Sequence, residues 1–171
     1  MSAATLCVGL PAQVDADCRV LLLGSMPGIA SLQVQRYYAH PRNRFWPLLA
    51  DICGFDAGLA YEQRLRALAV AGVGLWDVIG RCERRGSLDA GIVRSTEVAN
   101  ALPALVATLP GLKLIGCNGG ASLQAFRRWV LPQLDDPPRV LALPSTSPAN
   151  AAWSLPRLRQ AWQPVADALA T

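Results

Sequence analysis

Arg19-Val20-Leu21-Leu22-Leu23-Gly24-Ser25-Met26-Pro27-Gly28 decides the fold of this 171-residue chain. Bulky apolar residues run from Val20 to Leu23 without a polar break and are stopped by glycine and proline. That pattern reads as a strand buried on both faces entering a tight turn. It returns at three later places. Residues 72–78 end in Leu75-Trp76-Asp77, residues 112–117 lead into Cys117-Asn118-Gly119-Gly120, and residues 139–144 run into Leu143-Pro144-Ser145-Thr146-Ser147-Pro148-Ala149-Asn150. Residues 45–53, 61–71, 95–109, 121–131 and 155–170 instead carry apolar side chains at helical spacing, as in Leu65, Leu68 and Ala69, or Leu155, Leu158, Trp162 and Val165. Strands alternating with helices predict an α/β fold, a three-layer α/β/α sandwich around a central four-stranded, mainly parallel sheet. Residues 80–92 show neither period and read as loop. The carboxyl ends of such strands share one edge, so the four interruptions converge on a single site.

Composition sets the outer limits. The chain is 52% hydrophobic, enough for one substantial core, and nothing in it resembles a linker, so residues 1–171 read as one domain and as a monomer. No stretch approaches the ~18 apolar residues of a membrane span, and residues 1–13 lack the charged start of a signal segment. We expect a soluble, cytoplasmic protein with no membrane partner. Cys7, Cys18, Cys53, Cys82 and Cys117 are odd in number and scattered, without a Cys-x-x-Cys pair. This argues against a disulfide framework, a zinc site or an iron–sulfur cluster, and leaves small idle thiols. The formal net charge of +4 is carried by arginine, since Lys113 is the only lysine. Arg36, Arg42 and Arg44 follow the first turn, and Arg81, Arg84 and Arg85 follow Asp77. Two readings stand side by side: a grip on a phosphate backbone, or solvated charged faces.

The first turn lacks both the spacing of the dinucleotide fingerprint and the Lys-Ser/Thr pair of a nucleotide-phosphate loop. Its glycines and proline supply a tight bend whose backbone N–H groups at Ser25 to Gly28 can approach a ligand closely. Behind it comes Tyr37-Tyr38-Ala39-His40-Pro41-Arg42-Asn43-Arg44-Phe45-Trp46-Pro47. Aromatic faces, an amide and basic side chains lie together there, the equipment for stacking a base beside a phosphate chain. Each member also has a plain structural reading. Asn43 can cap the helix starting near Phe45, His40 can be a hydrogen-bonded structural residue, and Phe45 and Trp46 can belong to the core.

Taken in order, Gly-Ser-Met-Pro-Gly, Tyr-Tyr-Ala-His-Pro-Arg-Asn-Arg-Phe-Trp, Gly-Leu-Trp-Asp-Val-Ile with Gly86-Ser87-Leu88-Asp89 behind it, and Leu-Pro-Ser-Thr-Ser-Pro-Ala-Asn resemble the uracil-DNA glycosylase superfamily. Within it the chain is most similar to the hypoxanthine-DNA (deoxyinosine) glycosylase branch, with mismatch-specific uracil glycosylases as near relatives. The resemblance spans about residues 19–162. It implies a DNA substrate containing deaminated bases, a nucleotide flipped into a pocket at the strand ends, and hydrolysis in base excision repair without metal or cofactor. Among catalytic candidates it implies Asn43 as a water-holding amide, Asp77 at the position that reads the base edge, and Ser145 near the departing base. Gly24, Ser25, Met26, Pro27 and Tyr38 would form the base pocket, Tyr38 by stacking. His40, Arg42, Arg44, Ser147, Pro148, Ala149 and Asn150 would meet DNA.

Several positions depart from the family pattern. Met26 stands where other members place a water-activating Asp or Asn, Ser145 or Thr146 where they place a histidine, and small Ala149 where they place a bulky wedge. Cleaving an N-glycosidic bond builds positive charge on the sugar and negative charge on the base, which calls for dipoles aimed at the base and an oriented water. Asn43 can orient that water, while backbone N–H groups of the first turn and Ser145 meet the base. Asp77 is open to three roles: reading a ring N–H, general base toward water, or a surface carboxylate paired with Arg81. Asn118 reads as a chain turn, and Ser87 and Asp89 as loop residues. Lys113 heads the third strand, away from the carboxyl ends, so no amine is placed for a Schiff base and a monofunctional enzyme is expected. Alternatives are a mismatch-specific uracil glycosylase, a non-catalytic DNA-binding module of the same fold, and an enzyme of free nucleosides.

Overall fold

The computed structural model describes residues 3–171; residues 1 and 2, the start of the 1–13 segment and of the expected 1–171 domain, lie outside it. Strands β2 (Val20–Gly24), β3 (Val73–Asp77), β6 (Leu114–Asn118) and β7 (Arg139–Leu143) form a four-stranded sheet in the order β3-β2-β6-β7. All its pairings are parallel, with Leu22 opposite both Leu75 and Gly116. Leu21, Leu22 and Leu23 are fully buried because β2 is central and both of its faces are covered. Side chains alternate across it. Val20 and Leu22 join Phe45, Leu48 and Trp162 in one core, while Leu21 and Leu23 join Val78, Cys117 and Phe126 in the other. Helices α2 (Phe45–Cys53) and α3 (Tyr61–Ala71) match the stretches read from spacing, and α5 (Gly120–Trp129) starts one residue before and ends two residues short of the 121–131 stretch. The mixed α/β architecture around a parallel sheet is therefore the one the sequence predicts.

The segment after Asp77 differs from the reading. Strand β4 (Ile79–Arg84) begins almost where β3 stops, and it is the centre of a second, three-stranded antiparallel sheet with β1 (Thr5–Val8) and β5 (Ile92–Ala99). Residues 80–92 are thus half strand, and the helix expected over 95–109 shrinks to α4 (Leu102–Ala107). Val93, Thr96 and Val98 favour the pleated state once β4 offers a partner, and Pro103 suits only the first turn of the helix that follows. A short helix α1 (Ile29–Val34) also follows the first turn, and the last helix breaks at Trp162 into α6 (Leu155–Ala161) and α7 (Gln163–Ala170) with Pro164 opening the second piece. Cys7, Cys18, Cys82 and Cys117 are buried free thiols, and burial pushes those of Cys18 and Cys117 up to about 11. Such thiols are unreactive packing groups.

Arg84 is the largest surprise of this region. Its side chain is buried, and its guanidinium donates to the carbonyl oxygens of Pro27 (2.8 Å) and Gly86 (3.0 Å). It ties the second sheet to the first turn from behind and is not available to a phosphate backbone, contrary to the clustering of Arg81, Arg84 and Arg85 in sequence. Trp162 does similar work on the opposite side: fully buried, it donates its indole N–H to the carbonyl of Pro144 at 3.0 Å. Trp162→Ala should cost about 3–5 kcal/mol in urea unfolding, the penalty of emptying a large aromatic site.

Candidate active site

The carboxyl ends of β2, β3, β6 and β7 open into a cavity of about 850 Å3. Its floor is set by a register. Gly24 and Asp77 are paired across β2 and β3, and a methyl group on Gly24 would overlap the Asp77 carboxyl oxygen Oδ1 while also touching the Tyr38 hydroxyl. Only glycine lets the strand end lie this close to the acid. Asp77 is 4% exposed, and its Oδ2 meets no hydrogen-bond partner. Burial, reinforced by the negative charge of Asp89, pushes its carboxyl up to about 7. A paired carboxylate at a strand end is therefore not what Asp77 is; Arg81 lies exposed on β4.

Tyr38 forms one wall. It holds a left-handed backbone with φ of 54°, a conformation that costs about 1 kcal/mol or more outside glycine, and its ring stacks on Phe45 at 3.8 Å and 16°. Its hydroxyl accepts from Asn118 Nδ2 at 3.4 Å. The same amide donates to Thr146 Oγ1 at 3.1 Å, and Asn118 Oδ1 receives the Thr146 N–H at 3.1 Å. Asn118 at the end of β6 therefore braces the tyrosine wall against the loop after β7, a larger role than the chain turn read from sequence.

Residues 40–43 form a tight bend in which His40 O receives the Asn43 N–H at 2.9 Å and His40 Nδ1 receives the Arg42 N–H at 3.1 Å. Asn43 Oδ1 accepts the Phe45 N–H at 2.9 Å, which satisfies a free donor where α2 begins. The same side chain lines the cavity. Arg44 is the cap position of α2 and makes no side-chain cap bond, so Asn43 sits one residue before the cap expected of it, and its bond to the Phe45 N–H fixes which way the amide points. Across the cavity the loop 144–150 is held by its own bonds. Arg44 donates to the carbonyls of Ser147 (2.9 Å) and Asn150 (3.0 Å), Asn150 Nδ2 donates to Ser145 O at 2.9 Å, and Ser145 Oγ receives the Ser147 N–H at 3.1 Å.

The structure brings Gly24, Ser25, Met26, Pro27, Tyr38, His40, Asn43, Asp77, Ser145, Ser147, Pro148, Ala149 and Asn150 to this one cavity. Arg42 and Arg44 are outside its lining. Arg42 is exposed, and the Arg44 guanidinium is committed to the loop carbonyls, so it acts as a brace where a phosphate contact was expected. Arg36 sits over the Tyr61 ring at 5.4 Å. Met26 is 6% exposed and packs with the Leu21 and Leu23 core. Ser25 is likewise engaged: its hydroxyl donates to Asp89, a residue that sequence reasoning placed in an undifferentiated loop. Ser87 accepts the Ile29 N–H at 2.9 Å, and Ser87, Leu88 and Asp89 form a wall of the cavity. Its cue was a quoted motif without a period. Trp153 was missed as well. Among the described residues no cluster of three His, Cys, Asp or Glu side chains is placed to hold a metal ion.

Residues 11–168 match the family described as the uracil DNA glycosylase superfamily. The chain belongs to this superfamily. Its curated relatives include proteins named hypoxanthine DNA glycosylase from Methanosarcina barkeri, 40% identical over 67% of this chain and 72% of the relative, and from Methanosarcina acetivorans, 38% identical over 65% and 70%. A solution NMR structure of a candidate uracil DNA glycosylase from Methanosarcina acetivorans superposes with a TM-score of 0.82 at 32% identity, covering 98% of this chain and 100% of that one. The chain is accordingly a DNA glycosylase. Gly24→Ala should force the Asp77 side chain to turn and lower base release by about 10²-fold. Far-UV circular dichroism would stay native in that variant, because the added atom meets the mobile end of a side chain.

Proposed function

We propose that this glycosylase is monofunctional and removes deaminated bases from DNA, hypoxanthine first and uracil second, leaving an abasic site. The observation that carries the proposal is the buried Asp77 carboxyl with an unpartnered oxygen in the cavity floor. In its neutral form a carboxyl is both donor and acceptor. It matches a lactam edge, taking the ring N–H and donating to the neighbouring carbonyl, and hypoxanthine and uracil share that edge. As the glycosidic bond breaks, negative charge moves into the base, and a donor aimed at the carbonyl meets it; an ionised Asp77 would oppose it. The names of the Methanosarcina relatives support hypoxanthine as the first choice.

Asn43 holds the attacking water in this scheme. Its Oδ1 is fixed by the Phe45 N–H, so the amide is oriented before substrate arrives, and pre-set dipoles avoid the cost of reorganisation. Ser145 faces the base from the loop, and Tyr38 offers the ring face not covered by Phe45. DNA must deliver the nucleotide out of the stack, which costs a few kcal/mol and least at mismatched pairs. The monofunctional assignment rests on Lys113, which precedes β6 at the opposite edge of the sheet and donates to the Thr171 carbonyl at 2.9 Å and hydroxyl at 2.8 Å. A Schiff base at the sugar needs an amine in the cavity.

The test is a panel of duplexes carrying hypoxanthine, uracil, xanthine or mispaired thymine, incubated with enzyme and then alkali. We expect strand breaks only after alkali, and most from hypoxanthine. Direct nicking with a borohydride-trapped adduct would overturn the monofunctional assignment. Asn43→Ala should lower the single-turnover rate by about 10²–10³-fold while DNA affinity changes by less than about threefold. Parallel losses in rate and affinity would leave Asn43 a helix cap and nothing more.

A further inference from the structure

Two carboxyls share the cavity, and one turn holds both. Gly24 packs against Asp77 Oδ1, and the next residue, Ser25, grips Asp89 through its hydroxyl. Asp89 comes from the wall loop before β5, which Ser87 fastens to the start of α1 through the Ile29 N–H. Among the described residues the ion pairs are Arg128 with Glu97 and Arg159 with Asp51, so neither cavity acid has a cation within ion-pair distance. The titratable groups near Asp77 are the Tyr38 and Tyr37 hydroxyls after α1 and Asp89 from the wall loop, and the neutral amide of Asn118 from β6 engages the Tyr38 hydroxyl. His40 lines the same cavity, and the Arg84 guanidinium lies behind Pro27. Of these, Asp89 is the anion.

We propose that Asp89, held by Ser25, is a positioning residue whose negative charge keeps the Asp77 carboxyl protonated, the form that pairs with a lactam edge and meets the departing base. This inference rests on the reading of Asp77 given above. Two nearby carboxyls resist joint ionisation. Asp77 is the more deeply buried of the two and is therefore the one that keeps its proton, while Asp89 reaches solvent and the Ser25 hydroxyl. Burial and the Asp89 charge act in the same direction on Asp77, and together they place its titration at about 7. The sign of the pH dependence follows. Activity is supported below that value and declines as pH rises through it.

The experiment measures kcat/KM for base release from a hypoxanthine duplex between about pH 5.5 and 9, a profile that reports ionisations of the free enzyme. Wild type, Asp89→Asn, Asp89→Glu and Asp77→Asn are compared. We expect an alkaline limb near pH 7 in the wild type that moves down by roughly half a pH unit in Asp89→Asn, and by less at raised ionic strength, since an exposed charge is screened. Asp89→Glu keeps the charge and should restore most of the limb. The 13C titration of the Asp77 carboxyl in free Asp89→Asn protein should move by the same amount, which gives a reading even where turnover is weak. An unmoved limb and carboxyl titration in Asp89→Asn overturn this inference alone. A uniform loss at every pH with an unmoved titration also overturns it and points to a direct role on water or sugar. A wild-type limb that survives in Asp77→Asn removes the reading of Asp77 itself, and this inference with it.

Discussion

The contact between the end of β2 and the Asp77 carboxyl is the constraint from which the rest of the site follows. Parallel pairing puts Gly24 opposite Asp77, and the missing side chain at Gly24 lets the acid lie against the strand instead of swinging to solvent. Once there, it is enclosed by Tyr38 and the first turn and loses its water. An acid desolvated in this way is costly to ionise, and its titration is pushed up from the ordinary aspartate range to about 7. The geometry of one strand pair thus sets the chemistry of the floor.

The walls reach their positions through a chain of short links. Asn118 joins Tyr38 to Thr146, Arg44 joins the start of α2 to Ser147 and Asn150, and Trp162 holds Pro144. The loop 144–150 therefore has its shape before DNA arrives, and less conformational freedom remains to be lost on binding. The charged side chain of Arg44 is given to backbone carbonyls in this arrangement. That is consistent with a small protein whose arginines act as braces at several points: Arg84 on Pro27 and Gly86, and Arg19 on Leu169 (2.7 Å) and Ala71 (2.9 Å). A count of arginines near a motif overstates the phosphate grip for this reason.

The parallel sheet and the edge where the site lies were legible in the sequence because buried parallel strands read as unbroken apolar runs closed by turn residues. Val20 to Leu23 is such a run, and so is Leu114 to Cys117 in substance. The second sheet was not legible. Its strands are exposed on one side, and Ile92–Ala99 carries Arg94, Ser95 and Glu97 among its β-branched residues, so neither an unbroken run nor a helical stripe appears. Strand pairing between Cys7 and Cys82 joins segments far apart in the chain, a link that local pattern cannot carry. The lining of the cavity was legible where its residues sit in the turn-rich motifs. Asp89 and Asn118 were named but given structural tasks, because their partners, Ser25 and the Tyr38–Thr146 pair, are known only after folding.

Met26 fits this electrostatic arrangement. The first turn of this chain presents a buried methionine where the family pattern places a water-activating side chain. An acid at that point would be a third carboxyl beside Asp77 and Asp89 in a cavity without a neighbouring ion-pair partner, and mutual repulsion would force at least one of them to bind a proton. The thioether adds no charge and packs with the Leu21 and Leu23 core. In the proposed scheme the water is oriented by the uncharged amide of Asn43, which would leave that balance undisturbed. Under the proposed scheme the replacement in the turn and the asparagine after His40-Pro41 are two parts of one solution, in which a buried neutral acid would meet the base and a fixed dipole would serve the water.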